Sequence, residues 1–277
     1  MLAAGVIAFR EGLEAALIIG IVMGYLVKIG QARHIRLAWL GVAAALVLSV
    51  AIAVGINLMG AELEGPAEQI FEGTTMVLAV LILTGMIFWM RVQARTLKSS
   101  LEREMGQAVA SGQALAIFGV AFLAVFREGV ETALFLAAAA FAGNAMGTLV
   151  GTILGLSAAA LVGWLIFASA VRLNLRMFFN VTSVLLLFFA AGLFGLAVHE
   201  FQEAGLLPMT IEQVWNLNAI IDENSPVGLV LKALFGYNGN PSLLEVLGYV
   251  AYWVLALVGV RWWVNRRTGQ ISARPTA

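Results

Sequence analysis

Two short stretches place charged residues inside apolar runs, and the second repeats the first 117 residues later. The first stretch, AFREGLEAAL, contains Arg10, Glu11 and Glu14. The second stretch, VFREGVETAL, contains Arg127, Glu128 and Glu131. Residues three and four apart share one face of a helix, so each motif presents two carboxylates and a guanidinium on a single stripe. Carboxylates in such an apolar setting are typical of cation or proton pathways.

The balance of charge within the two motifs favours a cation site. An isolated charge at the centre of a bilayer costs at least ~2.5–3.5 kcal/mol, so these six groups must face one another or a polar interior. Four carboxylates share two arginines, which leaves a surplus of negative charge. Carboxylate oxygens are hard ligands that suit Fe³⁺, Fe²⁺, Mn²⁺, Mg²⁺, Ca²⁺ or protons. The alternative is a salt-bridge cluster that joins two helices, although a hydrophobic pair usually stabilises a protein as well as a buried ion pair does.

The composition predicts where these charges lie. The chain of 277 residues is 61% hydrophobic and 12% charged, with a mean hydropathy of +0.95, whereas soluble domains contain about 25% charged residues. The lack of cysteine excludes disulfides, thiolate metal sites and iron–sulfur clusters. Only His34 and His199 are available as imidazole ligands, and the net charge of zero gives no sign of a nucleic-acid partner. We therefore expect an integral membrane protein that is not an enzyme and has no permanently bound cofactor.

Seven segments are long and apolar enough to cross a bilayer core of ~30 Å, which takes about 20 helical residues. They are 2–27, 37–59, 70–90, 113–142, 147–171, 178–199 and 243–264. The connecting segments alternate in charge. Basic residues of one side include Lys28, Arg95 and Arg172, and acidic residues of the other side include Glu62 and Glu212. Because Lys and Arg mark the cytoplasmic side, we expect an all-α fold of seven transmembrane helices with the N-terminus outside and the C-terminus inside.

Two further polar groups are predicted at helix ends on the outer side. Glu68 and Glu72 occur in EQIFEG, and His199, Glu200 and Glu203 occur in HEFQE. We interpret both groups as a candidate site that collects cations from outside. The alternative is that they are ordinary helix termini, where acidic residues at a helix start interact favourably with the helix dipole. HEFQE differs from the HExxH zinc motif, so the sequence does not indicate a metalloprotease.

The two motifs open a longer internal repeat. TMVLAVLILTGMI in the third segment aligns with TSVLLLFFAAGLF in the sixth, with threonines and glycines in register. Since each unit contains three segments, the second unit must cross the membrane in the opposite direction, as in the inverted repeats of secondary transporters. The predicted organisation is a first repeat (1–90), a cytoplasmic link (91–112), a second repeat (113–200), an outer loop with short interfacial helices (201–241), and a seventh helix with a cytoplasmic tail (242–277).

These residues resemble the oxidase-dependent iron transporter family, which includes fungal high-affinity iron permeases and bacterial iron permeases of the EfeU type. The similarity rests on both REGxE motifs and on FEG followed by LTGMIFWMR in the third segment. It extends to HEFQEAGL in the sixth segment and to FGY and PSLLEV before the seventh. It covers most of the chain, and the bacterial permeases are the more similar group.

The resemblance implies a high-affinity iron permease of a bacterial inner membrane. It implies that Glu11, Glu14, Glu128 and Glu131 bind iron during transport, with Arg10 and Arg127 as the motif arginines. It also implies periplasmic partners, either a haem peroxidase and a cupredoxin-like protein or an oxidase. The residues alone do not determine whether ferric or ferrous iron is carried. They also leave open a permease for another divalent cation, in which the glutamates serve as a metal or proton site, and a membrane anchor for a periplasmic oxidase.

Overall fold

A computed structural model describes residues 1–93, 97–169, 175–223 and 225–272, and every regular element within these ranges is a helix. The helices are α1 (Leu2–Lys28), α2 (Ile35–Glu62), α3 (Pro66–Gln93), α4 (Leu97–Ala110), α5 (Ala114–Phe141), α6 (Ala145–Ser169), α7 (Leu175–Glu203), α8 (Pro226–Phe235) and α9 (Leu243–Ser272). Pro66 and Pro226 each begin a helix, where the missing backbone N–H costs nothing. Arg95 and Arg172 lie outside the described residues.

The expectation of an all-α fold is confirmed for the described residues, and each of the seven predicted segments falls on a long helix. Four helices there are long and apolar enough to cross a membrane: Ala32–Glu62, Pro66–Trp89, Ala145–Ile166 and Phe179–Glu203. Leu243–Gly259 is a shorter apolar helix. Helices α1 and α5 have a similar length, but each carries the three charges of its motif. The number of crossings and their direction stay a prediction.

The long helices are paired through small residues. On α1 and α6, Gly5 faces Gly151 and Gly12 faces Ala159, so the two helices run parallel. Helices α2 and α5 are also parallel, since Gly41 faces Phe118 and Gly60 faces Phe141. Small residues let membrane helices approach closely where no hydrophobic effect drives them together. These two pairs are the most extensive helix contacts of the described chain.

Two hydrophobic clusters divide the bundle along its length. One contains Ile7 near the start of α1 and Phe135 near the end of α5, together with buried residues of α3, α7 and α9. The other contains Leu26 near the end of α1 and Ile117 near the start of α5, together with residues of α2 and α4. Helices α1 and α5 are therefore antiparallel, and the charged motifs lie between the clusters. We call the end with the first cluster the Met1 side and the other end the α4 side.

Helix α4 contributes to the core although its sequence is largely polar. Leu101, Met105 and Ala108 are buried and pack against α1 and α5 on the α4 side. Their spacing of three and four residues places them on one helix face. The predicted cytoplasmic link thus contains a helix that packs beneath the charged motifs.

The segment before α9 is attached to α7 through a glycine contact. Helix α8 is capped by Gly236, which has a left-handed φ of +67° and accepts no Cβ without strain. Its Cα lies against Gly192 of α7, so neither position has room for a side chain. Further along, the Tyr237 hydroxyl donates to the Ile221 carbonyl at 2.8 Å. The predicted loop therefore holds one described helix and packs on α7.

The close contact between α1 and α6 gives a stability prediction. A Cβ at Gly155 meets the Gly5 carbonyl oxygen and the Phe9 nitrogen, which are backbone atoms that cannot rotate away. We expect Gly155→Ala to cost about 1–3 kcal/mol through overpacking and to lower the melting temperature by several degrees in detergent, as measured by circular dichroism. Gly24→Ala is the matched control, because nothing lies within 4 Å of its Cβ. Equal melting temperatures for the two variants would contradict this packing.

Candidate metal site

The two motifs meet where α1 and α5 cross the middle of the bundle. The motif glycines fix this approach, since Gly12 packs on Leu156 and Ala159 of α6, and Gly129 packs on Ser49 of α2. A larger residue at either position would push the helix off its parallel partner. With the glycines turned toward these partners, the glutamates lie in the space between α1 and α5.

Three glutamates come together in this space. One carboxylate oxygen from each of Glu11, Glu128 and Glu131 lies within 4.8 Å of the other two. Glu11 and Glu128 are buried, and Glu131 is partly buried. Within the described chain, Oε2 of each of the three is buried without a hydrogen-bond donor. We call these residues the carboxylate cluster. Buried carboxylate oxygens without donors are costly unless a cation or proton joins them.

Arg10 is fully buried at the edge of the carboxylate cluster. Its Nη1 donates to Glu11 Oε1 at 2.8 Å and to the sulfur of Met86 at 3.4 Å. Its Nη2 lies 3.0 Å from Glu14 Oε1, an ion pair at the i,i+4 spacing whose angle is too poor for a hydrogen bond. Arg10 therefore balances one of the two negative charges of its own motif and connects the motif to α3.

Arg127 has a different environment, although it occupies the same place in its motif. Its Nε donates to Glu131 Oε1 at 2.9 Å, and its side chain is 42% exposed. The guanidinium carbon lies 4.1 Å from the centre of the Trp89 ring, a cation–π contact with α3. The equivalent contact of Arg10 is to a thioether. Arg10 is thus fully buried beside the carboxylate cluster, whereas Arg127 leaves its side of the cluster partly open to solvent.

The four predicted motif glutamates therefore fall into two groups. Glu11, Glu128 and Glu131 converge, whereas Glu14 is buried beside them and is paired with Arg10. Among the described residues Glu128 has no ion pair at all, although its side chain is buried. The carboxylate cluster consequently keeps more negative charge than its arginines balance.

The predicted residues at the end of α7 line a second polar space on the Met1 side. His199 Nε2 lies 3.2 Å from Glu203 Oε1, and His199 Nδ1 lies 3.1 Å from Glu245 Oε1. His199 and Glu203 line a cavity of about 510 Å³, which we call the Met1-side cavity. Its polar lining comprises His199, Glu200, Glu203, Glu223, Lys232, Asn238 and Asn240.

The predicted pair on α3 lies beside this space. Glu68 is exposed in the first turn of α3, and Glu72 is partly buried one turn later. The adjacent Gly73 packs on Phe201 and Glu200 of α7, which brings the two acidic helix ends together. Gln69 reaches across to Glu203 at 3.3 Å. The residues grouped by sequence thus share one end of the bundle, remote from the carboxylate cluster.

Sequence reasoning missed Glu245, the carboxylate that contacts His199 of the Met1-side cavity. It accepts hydrogen bonds from Asn238 Nδ2 at 2.6 Å and from the backbone N–H of Ser242 at 3.2 Å, in addition to its contact with His199. A carboxylate bonded to one imidazole nitrogen fixes the orientation of the ring. Its position in the first turn of α9 gave no sign of this contact, because the partner lies 46 residues away.

Buried carboxylates enclosed by long apolar helices are typical of a membrane transport protein. The carboxylate cluster consists of Glu11, Glu128 and Glu131, with the guanidiniums of Arg10 and Arg127 paired to Glu11 and Glu131.

Comparison with known proteins identifies the cargo. The model of the iron permease FTR1 family matches residues 1–268, and the chain belongs to that family. It is 40% identical to the ferrous iron permease EfeU of Yersinia pestis over 91% of this chain and 90% of that protein. It is 38% identical to ferrous iron permease EfeU of Escherichia coli O6:H1 over 91% of this chain and 92% of that protein. No solved structure matches the chain significantly. The protein is therefore a multi-pass membrane transporter of iron and not an enzyme.

The unequal burial of the two arginines gives a second prediction. Arg10→Met leaves Glu11 and Glu14 buried without their cation, and removing one partner of a buried pair costs about 3–5 kcal/mol. Arg127→Met removes a half-exposed partner, so we expect a clearly smaller loss. Thermal unfolding in detergent, followed by circular dichroism, compares the two variants. A larger loss for Arg127→Met than for Arg10→Met would contradict the described burial.

Proposed function

We propose that the chain is a ferrous iron permease of a bacterial inner membrane and that its carboxylate cluster binds iron in transit. One observation carries this proposal: three carboxylates of opposite helices converge within 4.8 Å, with buried oxygens that lack donors. The relatives from Yersinia pestis and Escherichia coli are both ferrous iron permeases by name, which supports Fe²⁺ over Fe³⁺. Iron is the cargo here and not a resident cofactor.

The charge of the motifs fits a divalent cation. When ionised, Glu11, Glu14, Glu128 and Glu131 carry four negative charges, and Arg10 and Arg127 balance two of them. A divalent ion balances the remaining two, so the loaded site is neutral and its burial is less costly. Arg10 and Arg127 hold the carboxylates apart and limit their repulsion when the site is empty.

The proposed topology has seven crossings, with the Met1 side outside and the α4 side in the cytoplasm. Its support is the concentration of Lys and Arg in the connections of the α4 side. Residues 1–90 and 113–200 form the two halves of an inverted repeat, a proposal supported by the antiparallel course of α1 and α5. The site then lies at the interface of the repeats, as in other secondary transporters.

In this topology the Met1-side cavity collects iron before transport. His199, Glu200 and Glu203 offer imidazole and carboxylate ligands there, and Glu68 and Glu72 extend the acidic surface at the start of α3. Iron then passes to the carboxylate cluster and is released on the α4 side when the repeats change their exposure. The 201–241 segment roofs the cavity and is the surface for a periplasmic partner, a haem peroxidase and cupredoxin-like protein or an oxidase.

Uptake of labelled iron by the purified chain in proteoliposomes tests the site. We expect Glu128→Gln and Glu131→Gln to reduce the maximal rate at least tenfold, because each removes a ligand charge worth at least about 1.4 kcal/mol and keeps the side-chain shape. Glu64→Gln is the matched control, since Glu64 is exposed in the connection between α2 and α3. Uptake by the chain alone would also exclude a role limited to anchoring an oxidase.

Substitutions in the Met1-side cavity are expected to change the apparent affinity for iron in the same uptake assay, and not the maximal rate. His199→Gln and Glu203→Gln should raise the iron concentration needed for half-maximal uptake and leave the maximal rate nearly unchanged, because a collecting site acts before the transport step.

Normal uptake by Glu128→Gln and Glu131→Gln, measured in folded protein, would refute the proposed role of the carboxylate cluster.

The topology can be tested directly because the chain has no cysteine. Ala32 lies exposed between α1 and α2, and Ala61 lies exposed in the last turn of α2. In intact spheroplasts we expect a membrane-impermeant maleimide to label Ala61→Cys, and to label Ala32→Cys only after permeabilisation. The opposite pattern would invert the proposed orientation, and labelling of both from outside would refute the crossing of α2.

A further inference from the structure

The carboxylate cluster by itself does not explain a preference for iron. Carboxylate oxygens are hard donors, and Mg²⁺, Ca²⁺ and Mn²⁺ accept them readily. Selectivity requires that the competing ion binds less well by a definite free-energy difference. A softer donor near the cluster would supply such a difference, because nitrogen and sulfur ligands favour transition metals over alkaline-earth ions.

Cysteine and histidine, the usual sulfur and nitrogen ligands, are scarce in this chain. It contains no cysteine and two histidines. His34 lies in the short 3₁₀ turn Ala32–His34 before α2, and His199 lies in the Met1-side cavity, so neither is at the carboxylate cluster. A methionine instead contacts Arg10, the arginine that pairs with Glu11 of the cluster. Met86 of α3 is buried, and its sulfur lies 3.4 Å from Arg10 Nη1, the same nitrogen that donates to Glu11.

Arg10 Nη1 contacts a hard donor, the carboxylate of Glu11, and a soft donor, the sulfur of Met86. A thioether is a weak hydrogen-bond acceptor, and Nε and Nη2 of the buried Arg10 have no hydrogen-bond partner in the described chain. A buried polar network that served only stability would be better satisfied. The positively charged Nη1 of Arg10 occupies the position that a bound cation would take. It lies 2.8 Å from Glu11 Oε1 and faces the Met86 sulfur.

We infer that Met86 is a selectivity residue of the iron site, whose thioether joins the carboxylate cluster in binding Fe²⁺ and disfavours Ca²⁺ and Mg²⁺. When iron arrives, its charge displaces Arg10 Nη1 from Glu11 and exposes the Met86 sulfur to the same point. Fe²⁺ accepts thioether sulfur better than the harder ions do, including Fe³⁺. This inference rests on the proposed function, because it requires iron to pass through the carboxylate cluster.

Competition in proteoliposomes tests the inference with a volume-conserving variant. Met86→Leu keeps the apolar volume and should cost less than ~1.5 kcal/mol in stability. With labelled Fe²⁺ under reducing conditions, we expect the Ca²⁺ concentration that halves iron uptake to fall about tenfold or more relative to the unchanged protein. Met105→Leu is the control, because Met105 is a buried methionine of α4 in the other hydrophobic cluster. Equal Ca²⁺ sensitivity of the two variants would overturn the inference.

A spectroscopic measurement tests directly, without relying on transport, whether Met86 binds iron. In protein that contains selenomethionine and is loaded with Fe²⁺, selenium absorption spectroscopy should detect iron as a direct neighbour of selenium, and Met86→Leu should abolish that signal. No iron neighbour in the unsubstituted protein would overturn the inference even if Met86→Leu failed to fold. Loss of uptake in Glu128→Gln together with unchanged selectivity in Met86→Leu would refute this inference alone. Normal uptake in Glu128→Gln would instead refute the proposed function.

Discussion

The cost of burying charge between apolar helices governs the rest of this structure. Each carboxylate at the centre of the bundle needs a positive neighbour, and the polar groups of both motifs therefore gather around one point. This requires α1 and α5 to cross at their middles, which the motif glycines permit by packing on α6 and α2. The hydrophobic clusters lie on either side of the charged motifs along the bundle.

The two motifs are alike in sequence but not in their surroundings. Arg10 is enclosed by Glu11, Glu14 and Met86, whereas Arg127 is half exposed and stacks on Trp89. Both arginines contact α3, whose own carboxylates, Glu68 and Glu72, lie at the Met1-side end of the helix and not in the carboxylate cluster. A helix that adds no charge to the cluster therefore contacts both of its arginines. In an inverted repeat, such unequal halves correspond to a site that is more open on one side than on the other.

Local patterns were enough to predict the helices and the membrane class. The i,i+4 spacing also anticipates the contact of Arg10 with Glu14. Comparison with relatives confirms the family and the iron cargo. The placement of Glu14 beside the carboxylate cluster and not within it could not be predicted, nor could the contacts of Met86, Trp89 and Glu245. These depend on which helix faces which, and residues 76 positions apart in sequence carry no local signal of their contact.

The glycine contacts pair each motif helix with a helix of the other half of the chain. Helix α1 packs on α6, and α5 packs on α2. Each half of the chain, residues 1–90 and 113–200, therefore has one of its helices packed on a helix of the other half. A movement that separated residues 1–90 from 113–200 would break both of these tight interfaces. A movement of the α1–α6 pair against the α2–α5 pair breaks neither, and it changes the distance between the two motifs directly. A movement that keeps both glycine interfaces intact therefore has to displace these helix pairs, and not residues 1–90 and 113–200, relative to each other.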